Sequence, residues 1–129
     1  KFCRIDRTHF RDKTTGRVFP IDDIEGAYIT WIDIPGGIFR KRKAGYQLIG
    51  IIYGAKVVLM DATDPIGKRH STECAQALCD GEKNILKVAL ASILLIKSHG
   101  DLRRSYFEVF DRYGSDMHET FPWPVGSFR

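Results

Sequence analysis

Cysteine is scarce in this chain. Cys3, Cys74 and Cys79 are odd in number and form no CxxC pair, which argues against a disulfide framework or a zinc knuckle. A reducing, intracellular compartment fits that usage best, with nucleus and cytoplasm not distinguished. His70 and Cys74 stand four positions apart and would share a helical face, a spacing that suits a metal. No second ligand pair follows, so core or surface roles are the expectation for both. Long apolar runs are also missing: the longest, VALASILLI over 88–96, is far too short for a bilayer span, and no signal-peptide pattern opens the sequence. No membrane is expected. Repeats and low-complexity tracts are absent too, so organisation has to be read from periodicity.

What is present suits one ordinary domain: 129 residues, 43% of them hydrophobic, enough to bury a core. Lys and Arg number 20 against 16 Asp and Glu, a net charge of +4 with a pI near 9.1. The excess mildly favours a polyanionic partner. Residues 1–26 are charged and turn-rich and are expected to form an N-terminal extension or hairpin. In DKTTGRVFP a turn leads into a short strand that Pro20 ends.

The main α/β domain is expected over 27–129. AYITWID (27–33) is β-branched and aromatic, a strand that IPGG breaks. GYQLIGIIYG and AKVVLMDA predict two strands joined at Gly54–Ala55 as an antiparallel hairpin. After TDPIGKRH the period changes: Cys74, Leu78, Gly81, Ile85 and Val88 recur at helical steps. Ser71 or Thr72 would cap that helix, with Glu73 in its first turn. Gly81 costs about 1 kcal/mol in a helix interior, so two shorter helices are the alternative. ASILLIK predicts a strand buried on both faces. DLRRSYFEVFDRYG predicts a further helix, with Leu102, Tyr106, Val109, Phe110 and Tyr113 on one face and Gly114 as its stop. Phe121, Trp123 and Phe128 in the extended tail would pack on the core or dock a protein partner.

Three strands, a helix, a buried strand and a helix, with Asp33 closing the first strand, resemble the ribonuclease H-like superfamily over roughly residues 27–113. IDIPGG and KAGYQLIG stand where members carry the aspartate, its glycine turn and the opening of the second strand; STECAQAL places Glu73 at the start of the crossover helix. The resemblance implies a mixed sheet: three antiparallel strands, a crossover helix, then a buried parallel fourth strand. The chain departs from the pattern after that strand, where LLIKSHG has His99 and Gly100 and Asp101 comes two residues late. Ile34 also stands where glycine usually follows the first aspartate.

The activity so implied is Mg²⁺-dependent hydrolysis of RNA phosphodiesters in a duplex or RNA–DNA hybrid. Asp33, Glu73 and Asp101 would hold the ions, with His99 completing the set, in the two-metal arrangement such carboxylates support. Loss of the usual fourth-strand aspartate favours a catalytically inactive relative that binds nucleic acid or protein. Arg40, Lys41, Arg42 and Lys43, with Lys68, Arg69, Arg103 and Arg104, are the candidate phosphate contacts. Apart from the resemblance, each residue has a plainer role. Asp33 would bond its own turn, Glu73 would serve the helix dipole, Asp101 would be an N-cap and His99 a loop histidine. The RKRK run would then be a solvated hairpin tip that discourages edge pairing.

Overall fold

Period-two alternation in the first twenty residues builds a small antiparallel sheet in the computed structural model, which describes residues 3–67 and 70–97. Strands β1 (Cys3–Ile5), β2 (His9–Asp12) and β3 (Val18–Pro20) lie in the order β1-β2-β3. Phe10 pairs with Ile5 on one side and Phe19 on the other. Phe10 and Phe19 turn inward while Arg4, Arg11 and Val18 face solvent, as alternation along a strand requires. The turn foreseen in DKTTGRVFP is formed: Asp12 accepts from the Thr14 backbone and the Thr15 hydroxyl, at 3.0 and 2.9 Å.

A single 3-10 turn, Ile21–Asp23, leads into the second sheet: β4 (Ile24–Ile34), β5 (Lys43–Ile52) and β6 (Ala55–Pro65), antiparallel throughout. The three strands expected from the apolar runs are therefore present and antiparallel. The β5–β6 turn lies at Tyr53–Gly54, one residue earlier than expected, and both residues have positive φ, 51° and 77°, as the favoured two-residue hairpins require. Gly45 in KAGY has a steric reason: a Cβ there would sit 2.2 Å from the Ala62 carbonyl oxygen.

Two helices follow, α1 (Thr72–Leu78) and α2 (Asp80–Lys97). Ser71 caps α1 by accepting from the Cys74 backbone at 3.1 Å. The alternative of two shorter helices is the one observed, although the chain breaks at Cys79 rather than at Gly81. Along α2, Leu86, Ala89, Leu90, Ile93 and Leu94 are buried. They join Phe10 and Phe19 of the first sheet and Ile29, Tyr46 and Leu48 of the second in one apolar cluster.

That arrangement corrects the expected architecture. ASILLIK is the last two turns of α2, not a buried fourth strand. Nothing between Lys87 and Lys97 breaks a helix, and its buried residues follow a three-to-four step that a strand cannot use. Among the described residues no strand pairs in parallel and no crossover is made; these residues form two separate three-stranded antiparallel sheets and two helices. A ribonuclease H-like mixed sheet is not this fold. The helix expected over 102–113 and the aromatic tail lie outside the described residues. No helix among those described is long and apolar enough to cross a membrane.

Candidate functional site

The segment between β4 and β5, residues 35–42, holds three cations, Arg40, Lys41 and Arg42, and no acid, and Lys43 opens β5 directly after it. Its backbone closes through Gly37 and Arg40, the Gly37 amide donating to the Arg40 carbonyl at 2.7 Å. Ile38 and Phe39 therefore sit at the apex, 93% and 100% exposed. Two large apolar side chains held fully in water at a charged tip are unlike scattered surface leucines, because they are contiguous and projecting. Arg40 and Lys41 flank them, both exposed.

Behind the tip the charges are neutralised. Arg42 grips Asp33 with both arms of its fork, Nε to Oδ1 at 2.9 Å and Nη2 to Oδ2 at 2.6 Å. This bidentate geometry is the strong form of a charged hydrogen bond. These bonds hold the Asp33 carboxyl below the usual carboxylate range and push the Arg42 guanidinium further up. Arg42 also donates through Nη1 to the His70 carbonyl, tying the hairpin base to the segment that enters α1. Lys43 approaches Asp61 at 3.9 Å, a loose pair. Lys41 and Arg42 line a cavity of about 400 Å³ with Pro65, Ile66 and Gly67.

His70 and Cys74 do meet, Nδ1 and Sγ lying 3.4 Å apart, but His70 precedes the Ser71 cap, so the pair spans the entry to α1 rather than one helical face. Cys79 is buried, and desolvation first, then nearby carboxylates led by Glu82, push its thiol up. Glu73 is exposed in the first turn of α1. The Asp33–Arg42 pair is thus set close to the lead-in of the α1 helix, but it is a guanidinium, not a second carboxylate, that meets Asp33. Both Asp33 oxygens accept from Arg42, whose positive charge already neutralises the carboxylate, and no group of three His, Cys, Asp or Glu among the described residues is placed to hold a metal ion. His99, Asp101, Arg103, Arg104, Lys68 and Arg69 lie outside the described residues.

Sequence reasoning missed two features. The Asp33–Arg42 pair spans nine positions, and only the β4–β5 register reveals it: Asp33 pairs with Ala44, and Arg42 lies two residues before that partner. The second is the Glu82 carboxyl on α2. Its Oε2 is enclosed without a partner, and it lines a cavity of about 190 Å³ with Asp12, Asp61 and Asp64. Burial first, then a hydrogen bond with Asp64 and that group's charge, push Glu82 up to about 7. No protein-family model, curated protein or solved structure matches this chain.

Proposed function

We propose that this chain is a nucleic-acid-binding module that contacts RNA through the β4–β5 tip, and that it works by binding rather than by hydrolysis at Asp33. The observation that carries this reading is the tip itself, with Ile38 and Phe39 fully projected between glycine and the cations Arg40 and Lys41. Arginine and lysine at such a tip neutralise phosphates. A projecting phenylalanine supplies a face on which an unpaired base stacks, worth about 1–3 kcal/mol. Commitment of Asp33 to Arg42 favours the binder over the nuclease, because the guanidinium already neutralises the carboxylate and would repel an incoming cation.

The test is fluorescence anisotropy of a labelled RNA hairpin with an unpaired loop, titrated at several salt concentrations. Arg40→Gln with Lys41→Gln is expected to lower the salt slope by about two, and Phe39→Ala to weaken binding about tenfold at all salt concentrations. Absence of binding at low salt would remove the proposal. Cleavage of an RNA–DNA hybrid in Mg²⁺ that is lost in Asp33→Asn would restore the hydrolase in its place.

A further inference from the structure

The solvent face of the first sheet carries a second concentration of positive charge, on strands remote in sequence from the tip. Arg4 of β1 and Arg11 of β2 are direct register partners, and both are exposed. Directly opposed side chains stand about 4.5–5.5 Å apart at Cβ, where like charges destabilise a sheet. On the same face Arg11 pairs with Val18 and His9 with Pro20, so no strand position there offers a carboxylate. Neither arginine forms an ion pair with a described residue.

A cavity of about 380 Å³ opens between these residues, lined by Arg4, Asp6, His9, Arg11 and Val18. Asp6 is its only acid, and the β1–β2 turn already uses it: Oδ1 accepts from the Thr8 backbone, the Thr8 hydroxyl and the His9 backbone, each at 2.8 Å. Two guanidinium forks against one turn-bound carboxylate leave the cavity net positive. A phosphate oxygen pair matches the planar fork of each arginine and would cancel the repulsion between them.

We propose that Arg4 and Arg11, with His9 beside them, form an anion site that takes a phosphate group. The site does not depend on the hairpin tip. Its ligand is a free phosphorylated small molecule or a backbone phosphate of RNA, which share this chemistry.

The test is thermal unfolding of the full chain titrated with sodium pyrophosphate, against sodium chloride at matched ionic strength. Pyrophosphate is expected to raise the wild-type midpoint beyond the chloride control. Arg11→Gln should melt higher than wild type in chloride, because the opposed charge is gone, yet lose about tenfold or more in pyrophosphate affinity. Arg11→Lys, which keeps charge but not the fork, should fall between them, and Lys87→Gln, a cation on α2, should respond as wild type does. Equal responses of wild type and Arg11→Gln, no response in wild type, or loss of the response in Lys87→Gln would each overturn the site. A second arm titrates a 5′-phosphorylated single-stranded RNA. Tighter binding than pyrophosphate, lost in Arg4→Gln/Arg11→Gln, identifies a backbone phosphate; pyrophosphate binding without RNA binding identifies a small molecule. RNA binding that survives Arg40→Gln/Lys41→Gln but not Arg4→Gln/Arg11→Gln keeps this site while the tip reading fails.

Discussion

The two sheets treat their charges in opposite ways. In the first, strands of three or four residues leave the acids to the turns: Asp6 binds Thr8 and His9, and Asp12 binds Thr14 and Thr15. The arginines opposite each other then have no partner within the sheet. In the second, strands of ten or eleven residues fix a register long enough to bring Arg42 onto Asp33 and Lys43 toward Asp61. An acid pinned in its own turn is less free to reach a distant cation, although Asp61 does both, accepting from Thr63 and facing Lys43. Basic surface therefore survives where turns dominate, and at the hairpin tip, where the strands have ended.

The most severe way to test this contrast is to remove what the sheets share. Leu90→Ala, in the common cluster, should cost about 2–5 kcal/mol. If the core is one unit, far-UV dichroism and tryptophan fluorescence will follow a single transition in denaturant; two separated transitions would mean that the sheets unfold independently.

Gly45→Ala attacks the long sheet alone. The added methyl meets the Ala62 carbonyl oxygen, and the forced backbone shift should cost about 1–3 kcal/mol. Amide exchange should then rise across β5 and β6, with β1–β3 little changed. Equal loosening of both sheets would undo the distinction drawn between them.

A smaller effect is expected from Glu82, in the cavity where Asp12 of the first sheet meets Asp61 and Asp64 of the second. A carboxyl raised in the folded state to about 7 is neutral there while the unfolded chain already ionises it. Stability from this group is full below about 4.5 and declines as pH rises through about 7. Glu82→Gln should flatten that decline and gain on the order of 1 kcal/mol at pH 8, a value reduced by partial solvent screening. A pH–stability profile identical to wild type would contradict it.

The smallest effects are at the acid end, with the reverse sign. Asp6 is held at about 2 by the Thr8 and His9 backbone bonds and the Thr8 hydroxyl, so its contribution is present above the usual carboxylate range and lost as pH falls through about 2. Asp33, lowered by Arg42, behaves likewise. Asp6→Ala and Arg42→Gln should each move the acid-unfolding midpoint upward, the first through the short sheet and the second through the long one; acid midpoints unchanged in both would sink the account of where the acids are spent.

Much of the local structure was legible in the amino-acid order. AYITWID, GYQLIGIIYG and AKVVLMDA form the strands their β-branched content and turns foretell, Ser71 caps α1, and the DKTTG turn forms, because each depends on residues within a few positions of one another. ASILLIK was not legible. A continuous apolar run satisfies a buried strand and a buried helix alike, and the helix was chosen by continuity with α2 and by the apolar cluster it fills. The site followed the same division. The basic tip could be read from RKRK, whereas the Asp33–Arg42 pair and the unopposed Arg4 and Arg11 arise from strand register, which sets side chains face to face only once distant segments have packed.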